Sequence, residues 1–187
     1  MESKKFLRST KSTGVWRRGV FIDIQNIYMS VKAVFPGQQI NYQAVMDYLN
    51  EDGVLTTFTA FSCVDPERQE QKGFLMAMAL MGYRVVTKPI KRMADGNIKA
   101  NMDMEIAMEV LDQAPYLDEI VLITGDGDFT SLVNRLVQRG KFVSVIGPDR
   151  FTAPELIQAC HAFLNFSQIP DALEPRSNEG GRNGSGQ

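Results

Sequence analysis

Two rhythms of apolar residues alternate along this chain. Compact runs rich in Val, Ile, Phe and Thr occur at Gly19 to Ile24, Leu55 to Val64, Tyr83 to Lys88, Glu119 to Thr124 and Lys141 to Gly147. They have the near-continuous hydrophobicity of strands buried on both faces. Ala162 to Phe166 reads as a last, shorter strand. Between the runs, apolar positions recur with helical spacing. Asn41 to Glu51 puts Tyr42, Val45, Met46 and Leu49 on one side. Asp65-Pro66 offers an N-cap and an N1 proline for a helix that Gly82 ends. Two further helices run from about Met102 to Gln113 and from Asp128 to Arg139, the second stopped by Gly140. The methionine-rich stretch Phe74 to Met81 is expected to be core packing.

Alternation of this kind predicts an α/β fold: a mostly parallel central sheet covered by helices on both faces and joined by right-handed crossovers. The chain has 187 residues, 44% of them apolar, which suits one domain with one sizeable core. No apolar run approaches the ~20 residues that span a bilayer. The opening Met1-Glu2-Ser3-Lys4-Lys5 lacks the apolar centre of a signal peptide, so the expectation is a cytoplasmic protein without membrane contact. Cys63 and Cys160, both among apolar neighbours, fit two reduced core thiols rather than a disulfide framework.

Charge changes the picture of partners. The net charge of −2 divides unevenly, because residues 1–18 carry six bases against one acid and residues 171–187 three acids against two bases. The first segment is therefore +5 and the last −1, leaving −6 on residues 19–170. A basic arm before an acidic body is compatible with holding a polyanion beside a carboxylate site. The expected organisation is a flexible basic arm at 1–17, a folded domain at 18–170, and a tail at 171–187 too poor in core residues to order.

Three signals carry candidate chemistry. In Gly19-Val-Phe-Ile-Asp-Ile-Gln-Asn26, an apolar strand ends on Asp23, with Asn26 three residues later where a helix can begin. Taken alone, Asp23 reads as a helix cap. In Val121-Leu-Ile-Thr-Gly-Asp-Gly-Asp-Phe129, Asp126 and Asp128 follow a fully apolar strand, and Gly125 and Gly127 would let the backbone turn sharply beside a ligand. Asp128 can cap the next helix, whereas Asp126 has no comparable structural task, so the pair favours a cation between them. The third signal comes from projecting the helix that starts near Met102 at about 100° per residue. Ile106, Val110, Ala107, Leu111, Met104 and Met108 fill an apolar arc, with Glu105, Glu109 and Asp112 on the opposite, solvated side. Asp103 falls inside the apolar arc, where a carboxylate costs several kcal/mol unless a proton, a cation or strong hydrogen bonds neutralise it. N-capping is its ordinary alternative.

Ligands of open α/β sheets bind at the carboxyl ends of strands where the strand order reverses. If the first and fourth strands are neighbours, Asp23 and Asp126 face each other across that crevice, and the helix bearing Asp103 completes a four-aspartate pocket. Hard oxygen donors suit Mg²⁺ or Mn²⁺, which would activate water and stabilise the leaving oxygen of a phosphodiester. Lys99, one turn before Asp103, could meet a phosphate oxygen.

With those residues in view, the sequence resembles the NYN domain of the LabA/DUF88 group, a branch of the PIN-like nucleases, over about residues 18–168. Phe21-Ile-Asp-Ile-Gln-Asn26 matches the family's strand-Asp-x-x-Asn, Lys99-Ala-Asn-Met-Asp103 its Lys-small-x-x-Asp, and Thr124-Gly-Asp-Gly-Asp-Phe129 its Ser/Thr-Gly-Asp-x-Asp-Phe. The resemblance implies a PIN-like sheet in the order 3-2-1-4-5. It also implies a Mg²⁺ or Mn²⁺ site at Asp23, Asp103, Asp126 and Asp128, which would be the catalytic residues, and RNA as substrate. Asn26 and Thr124, with Lys99, would then contact the metal or the substrate phosphate. Two positions depart from the pattern: Gln25 stands where many relatives have a smaller or acidic residue, and Glu109 replaces a frequent helix aspartate.

Other chemistries fail on inventory. His161 is the sole histidine, and a Cys63–His161 pair has no supporting motif. Zinc ligands are too few, the GxxxxGK[ST] phosphate loop is absent, and Gly125-x-Gly127 lacks the third glycine of GxGxxG. A haloacid-dehalogenase phosphatase would want its DxD directly after the first strand, but Ile24-Gln25 follows Asp23. Together with the resemblance, this makes a metal-dependent ribonuclease the expected function, and the alternative from another class is a non-catalytic RNA-binding or regulatory protein that keeps the pocket. An exposed edge strand would permit a homodimer.

Overall fold

The computed structural model describes residues 14–50, 53–92, 98–99 and 101–176, with Lys91, Arg92, Ile98 and Lys99 described by backbone alone. Six parallel strands form the central sheet: β1 (Trp16–Asp23), β2 (Val54–Val64), β3 (Arg84–Pro89), β4 (Glu119–Ile123), β5 (Phe142–Ile146) and β6 (Ala162–Leu164). Their order across the sheet is 3-2-1-4-5-6. The expected order therefore holds for five strands, and β6 extends it along β5. The order reverses between β1 and β4.

Alternate residues of each central strand feed two cores. Val20 and Ile22 of β1, with Val121 and Ile123 of β4, pack under α1 (Ile24–Val34), α2 (Tyr42–Leu49) and α3 (Gln69–Met81). Phe21, Ile120 and Leu122 point the other way, under α4 (Asp103–Gln113), α5 (Thr130–Gln138) and α6 (Pro154–Ala159). This two-sided burial is why the strand sequences lack polar alternation.

Helix ends follow the sequence where local caps decide them. Asn41 caps α2 by accepting from the Ala44 N–H at 3.1 Å, and Gly82 ends α3 in the left-handed conformation at φ 107°. Asp65-Pro66 does not start α3. The Asp65 side chain accepts from the Glu67 N–H and its carbonyl from the Arg68 N–H, which closes a turn, and the helix begins at Gln69. Gly37 closes the loop after α1 in a left-handed conformation, ahead of the short strand Gln38–Ile40.

Several expectations are corrected. β1 starts at Trp16 rather than Gly19, so Arg17 and Arg18, counted among the bases of the arm, are strand residues. Leu173–Pro175 pairs antiparallel with Gln38–Ile40, Leu173 packs on the core, and Glu174 accepts from Gln39 at 2.8 Å; the start of the expected tail is therefore ordered. The rest of the arm (1–13) and of the tail (177–187) lies outside the described residues. The Phe74–Met81 stretch buries only Leu75 and Met78, while Met76 and Leu80 are exposed, because α3 lies over the margin of the sheet. On α4, Ile106 and Val110 are buried as projected, but Met104 and Met108 are exposed. Glu109 is half-buried and pairs with Arg84 of edge strand β3 at 2.9 Å; Glu105 pairs with Lys88 at 2.6 Å. Both cysteines are free thiols, Cys63 buried and Cys160 half-buried. No helix among the described residues is long and apolar enough to cross a membrane.

Candidate metal centre

The register of the central strands brings two of the carboxylate segments together. β1 and β4 are hydrogen-bonded neighbours with Ile22 opposite Ile123, so the chain leaves the sheet at Asp23 and at Thr124 side by side. This is the edge where the strand order reverses, the place where α/β sheets take ligands.

Asp23 does two things at once. Its Oδ1 accepts the Asn26 N–H at 3.0 Å and so caps α1, the ordinary role its sequence suggested. It is also buried at 7% exposure. Burial pushes its pKa up to about 6; the Asn26 N–H opposes the shift, and the charges of Asp103 and Asp126 add to it. A capped carboxylate is thus still short of compensation.

Asp126 and Asp128 exchange the roles read from the sequence. Asp126 caps the 3₁₀ turn Gly127–Phe129 through Oδ1, which accepts the Asp128 N–H at 3.0 Å. Asp128, expected to be the cap, is exposed, and α5 begins at Thr130 without a side-chain cap. The 3₁₀ turn delays the helix by two residues and transfers the capping task upstream. Gly125 and Gly127 also have another reason than the one foreseen, since neither has positive φ. A Cβ on Gly125 would lie 3.2 Å from the Thr152 Cα, and one on Gly127 2.9 Å from Glu155 Oε1, so these glycines admit the segment that leads into α6.

Asp103 opens α4 and is not its N-cap; that position is Met102, which has no side-chain cap. The Asp103 N–H donates to Asn101 Oδ1 at 2.7 Å and its carboxylate accepts from the Asn101 amide. Burial raises its pKa first, the Asn101 hydrogen bond opposes that, and the charges of Asp126 and Asp128 raise it further. Sequence reasoning passed over Asn101, although an Asn two residues before an acidic helix start is a recognisable turn signal.

Carboxylate oxygens of Asp103, Asp126 and Asp128 lie within 4.8 Å of one another. Asp23 stands outside that trio and is joined to it by the electrostatic influence of Asp103 and Asp126. Among the described residues, no Lys or Arg reaches salt-bridge distance of any of the four. Three oxygen donors at such separations, with no counter-charge among the described residues, fit a hard divalent cation. The donor set offers no sulfur or imidazole ligand.

The remaining candidates take supporting places. Asn26 Oδ1 accepts the Gly125 N–H at 2.8 Å and ties the start of α1 to the loop after β4. Thr124 is buried at 3% exposure, and its Oγ1 accepts the Asp126 N–H at 3.2 Å. Both therefore position carboxylates. The Lys99 side chain lies outside the described residues; its backbone pairs with Lys91 in the hairpin before α4. His161, set aside as a nucleophile's partner, stacks on Phe142 and accepts the Val143 N–H through Nδ1 at 3.1 Å. A groove of about 610 Å³ leads away from Asp103 and Asp128 between α4 and α5, past Met104, Leu111, Arg135 and Gln138.

The sequence matches the NYN domain family over residues 17–169, a span that contains all four aspartates. The chain belongs to the NYN-domain family. This NYN domain is 29% identical over 167 residues to the low amplitude and bright protein LabA of Synechococcus elongatus, covering 84% of this chain and 88% of that protein. Its fold is similar to the crystal structure of a protein of unknown function from Vibrio parahaemolyticus, with a TM-score of 0.78, 26% identity, and coverage of 88% of this chain and 99% of that one. NYN domains fall within the PIN-like nucleases, which agrees with an RNA-related function and with an acidic cluster at the carboxyl edge of the sheet.

Proposed function

We propose that this NYN domain is a metal-dependent ribonuclease that hydrolyses RNA phosphodiester bonds. One observation carries the reading: carboxylates from two separate segments, Asp103 on one and Asp126 with Asp128 on the other, converge within 4.8 Å, and among the described residues no cationic side chain pairs with them. Mutual repulsion of that kind favours a bound cation.

Asp103, Asp126 and Asp128 would hold Mg²⁺ or Mn²⁺, with Asp23 completing the anionic wall on the β1 side. The ion supplies an activated water and charge stabilisation for the leaving oxygen. The chain supplies geometry. Asn26 and Thr124 fix the loop that carries Asp126, and Asn101 fixes Asp103. Asp23, whose pKa burial raises to about 6, would be ionised beside a bound cation.

Cleavage of single-stranded and structured RNA by highly pure protein, with Mg²⁺ or Mn²⁺ and with Asp126→Asn alongside, tests the proposal. The expected result is metal-dependent cleavage that falls at least about a hundredfold in the variant, more than the loss of a supporting residue around a metal usually costs. Circular dichroism should show the fold preserved. If every RNA stays intact in both metals while the two proteins bind it equally well, the domain is a non-catalytic RNA binder.

A further inference from the structure

On the other side of the sheet from the α4–α5 groove, a second cavity of about 740 Å³ opens among α1, α3 and the carboxyl end of β2. Its rim starts with Ile24 and Gln25, the two residues that follow Asp23, so it adjoins the carboxylate pocket along the backbone itself. Three aromatic rings line it: Tyr28, Tyr42 and Phe74. Tyr42 and Phe74 meet at 5.6 Å between centroids, tilted by 59°. Tyr28 is half exposed on α1, where no core packing demands an aromatic side chain. Two cations share the rim with the carboxylates of Asp65 and Glu70: Arg176, whose guanidinium sits 5.2 Å over the Tyr28 ring, and the largely exposed Arg68, 3.8 Å from Asp65.

The polar groups sort themselves by what is already engaged. Gln39 donates to Glu174, and Gln71 donates to the Cys63 carbonyl while accepting the Asp65 N–H. Gln25 is different. Its side-chain amide has no hydrogen-bond partner among the described residues, although it is half-buried at the cavity mouth. It is also one of the two positions at which the sequence departs from the family pattern.

We infer that this cavity is a nucleobase subsite: it takes an unpaired base of the RNA strand next to the phosphate that a cation on Asp103, Asp126 and Asp128 would hold, with Tyr28 stacking on the base and Gln25 reading its edge. The inference rests on the ribonuclease reading above. Flat π-faces, flanking guanidinium groups and one amide offering both a donor and an acceptor are the elements by which proteins hold splayed-out bases. A bare phosphate would have no use for three aromatic rings. The volume lies within the range of preformed small-ligand sites. A base can enter only when turned out of its stack, so the subsite selects single strands over duplex. The strand then crosses the carboxyl edge of the sheet, from this cavity past the carboxylates toward the α4–α5 groove.

Fluorescence anisotropy of labelled rA10 and rU10 decamers, free and paired with their complements, tests this on the full chain carrying Asp126→Asn in Mg²⁺. Adding Tyr28→Ala should weaken single-strand binding by roughly 5- to 150-fold, the usual effect of removing one stacking ring, and leave duplex binding unchanged. Adding Gln25→Ala should alter the ratio of rA10 to rU10 affinity more than either affinity alone. If Tyr28→Ala and Gln25→Ala both bind every decamer like their parent, the subsite assignment is wrong, and Asp126-dependent cleavage by the otherwise native chain would show that the ribonuclease reading survives. If the protein neither binds nor cleaves any of the RNAs, both fall together.

Discussion

β1 and β4 carry buried charge at both ends, and the two ends handle it in opposite ways. At the amino end Arg18 lies opposite Glu119 in register and pairs with it at 2.8 Å. The guanidinium also donates to the Leu49 carbonyl at 2.6 Å, and Glu119 accepts from Ser144 at 3.0 Å and from the Trp16 indole at 3.4 Å. Both residues are about 2% exposed, and the set is closed within the protein. Five residues further along β1, Asp23 is almost as deeply buried, yet its neighbours are more carboxylates. The amino end neutralises its charge within the fold, whereas among the described residues no cation meets the carboxylates at the carboxyl end. Burial by itself therefore says little about function; what separates the two ends is whether the described residues supply the counter-charge.

The sharpest way to break this comparison is to open the closed end. Glu119→Gln keeps the side chain's shape but removes the carboxylate charge that faces the buried Arg18 guanidinium at 2.8 Å. Removing one partner of a buried pair costs about 3–5 kcal/mol, so a large drop in the urea midpoint is expected, with RNA cleavage per folded molecule unchanged. The double variant Arg18→Met, Glu119→Leu should recover much of the loss, because it removes both desolvated charges. Should Glu119→Gln leave stability untouched while cutting cleavage, the amino-end pair belongs to function and the contrast collapses.

The next effect has the opposite sign. The Asp23 pKa is about 6 in the folded chain against 3.8 as its ordinary value, so between those pH values the folded state holds a proton that the unfolded chain has released. The Asp23 contribution to stability is then fully present below about pH 4 and is lost as pH rises through about 6. Asp23→Asn removes the charge and keeps an oxygen to cap α1. It should stabilise the metal-free protein at pH 7.5 by on the order of 2 kcal/mol, with no gain at pH 4. Saturating Mg²⁺ or Mn²⁺ should erase the advantage by stabilising the wild type more than the variant. Urea melts at the two pH values, with and without metal, measure all of this; an Asp23→Asn protein no more stable than wild type at pH 7.5 would mean that the carboxylate is not strained.

The same logic explains what could be read from the sequence and what could not. The strands were legible because burial on both faces leaves a continuous apolar run, as in Glu119 to Thr124, and their order followed from the resemblance. Asp103 was legible because a helical projection set a charge beside Ile106 and Val110, both of which are buried. The width of that arc was not: Met104 and Met108 face solvent, since a helix on one side of a sheet buries a narrow stripe. The error at Phe74–Met81 has the same source, as α3 covers the sheet's margin, where there is less to pack against. The Glu109–Arg84 pair joins residues 25 positions apart on different elements, beyond any local pattern. The exchange of roles between Asp126 and Asp128 depends on a single 3₁₀ turn, and a sequence pattern does not resolve shifts of two residues at a helix start.

The smallest expected effect tests how the open end is built. Asn26 was read as a contact to metal or phosphate, but its Oδ1 holds the Gly125 N–H and thereby the loop that aims Asp126. Asn26→Ala should cost about 1 kcal/mol of stability, the worth of one ordinary hydrogen bond. Cleavage should fall by roughly 10- to 100-fold, as when the support of a metal ligand is removed. The loss should appear in kcat, with KM for RNA nearly constant, because a misplaced carboxylate weakens the transition state more than ground-state binding. Faster hydrogen exchange at the Gly125 amide would locate the cause. A rise in KM with kcat preserved and Gly125 still protected would instead make Asn26 a substrate contact, and the open end would then reach the RNA directly through α1 as well as through its carboxylates.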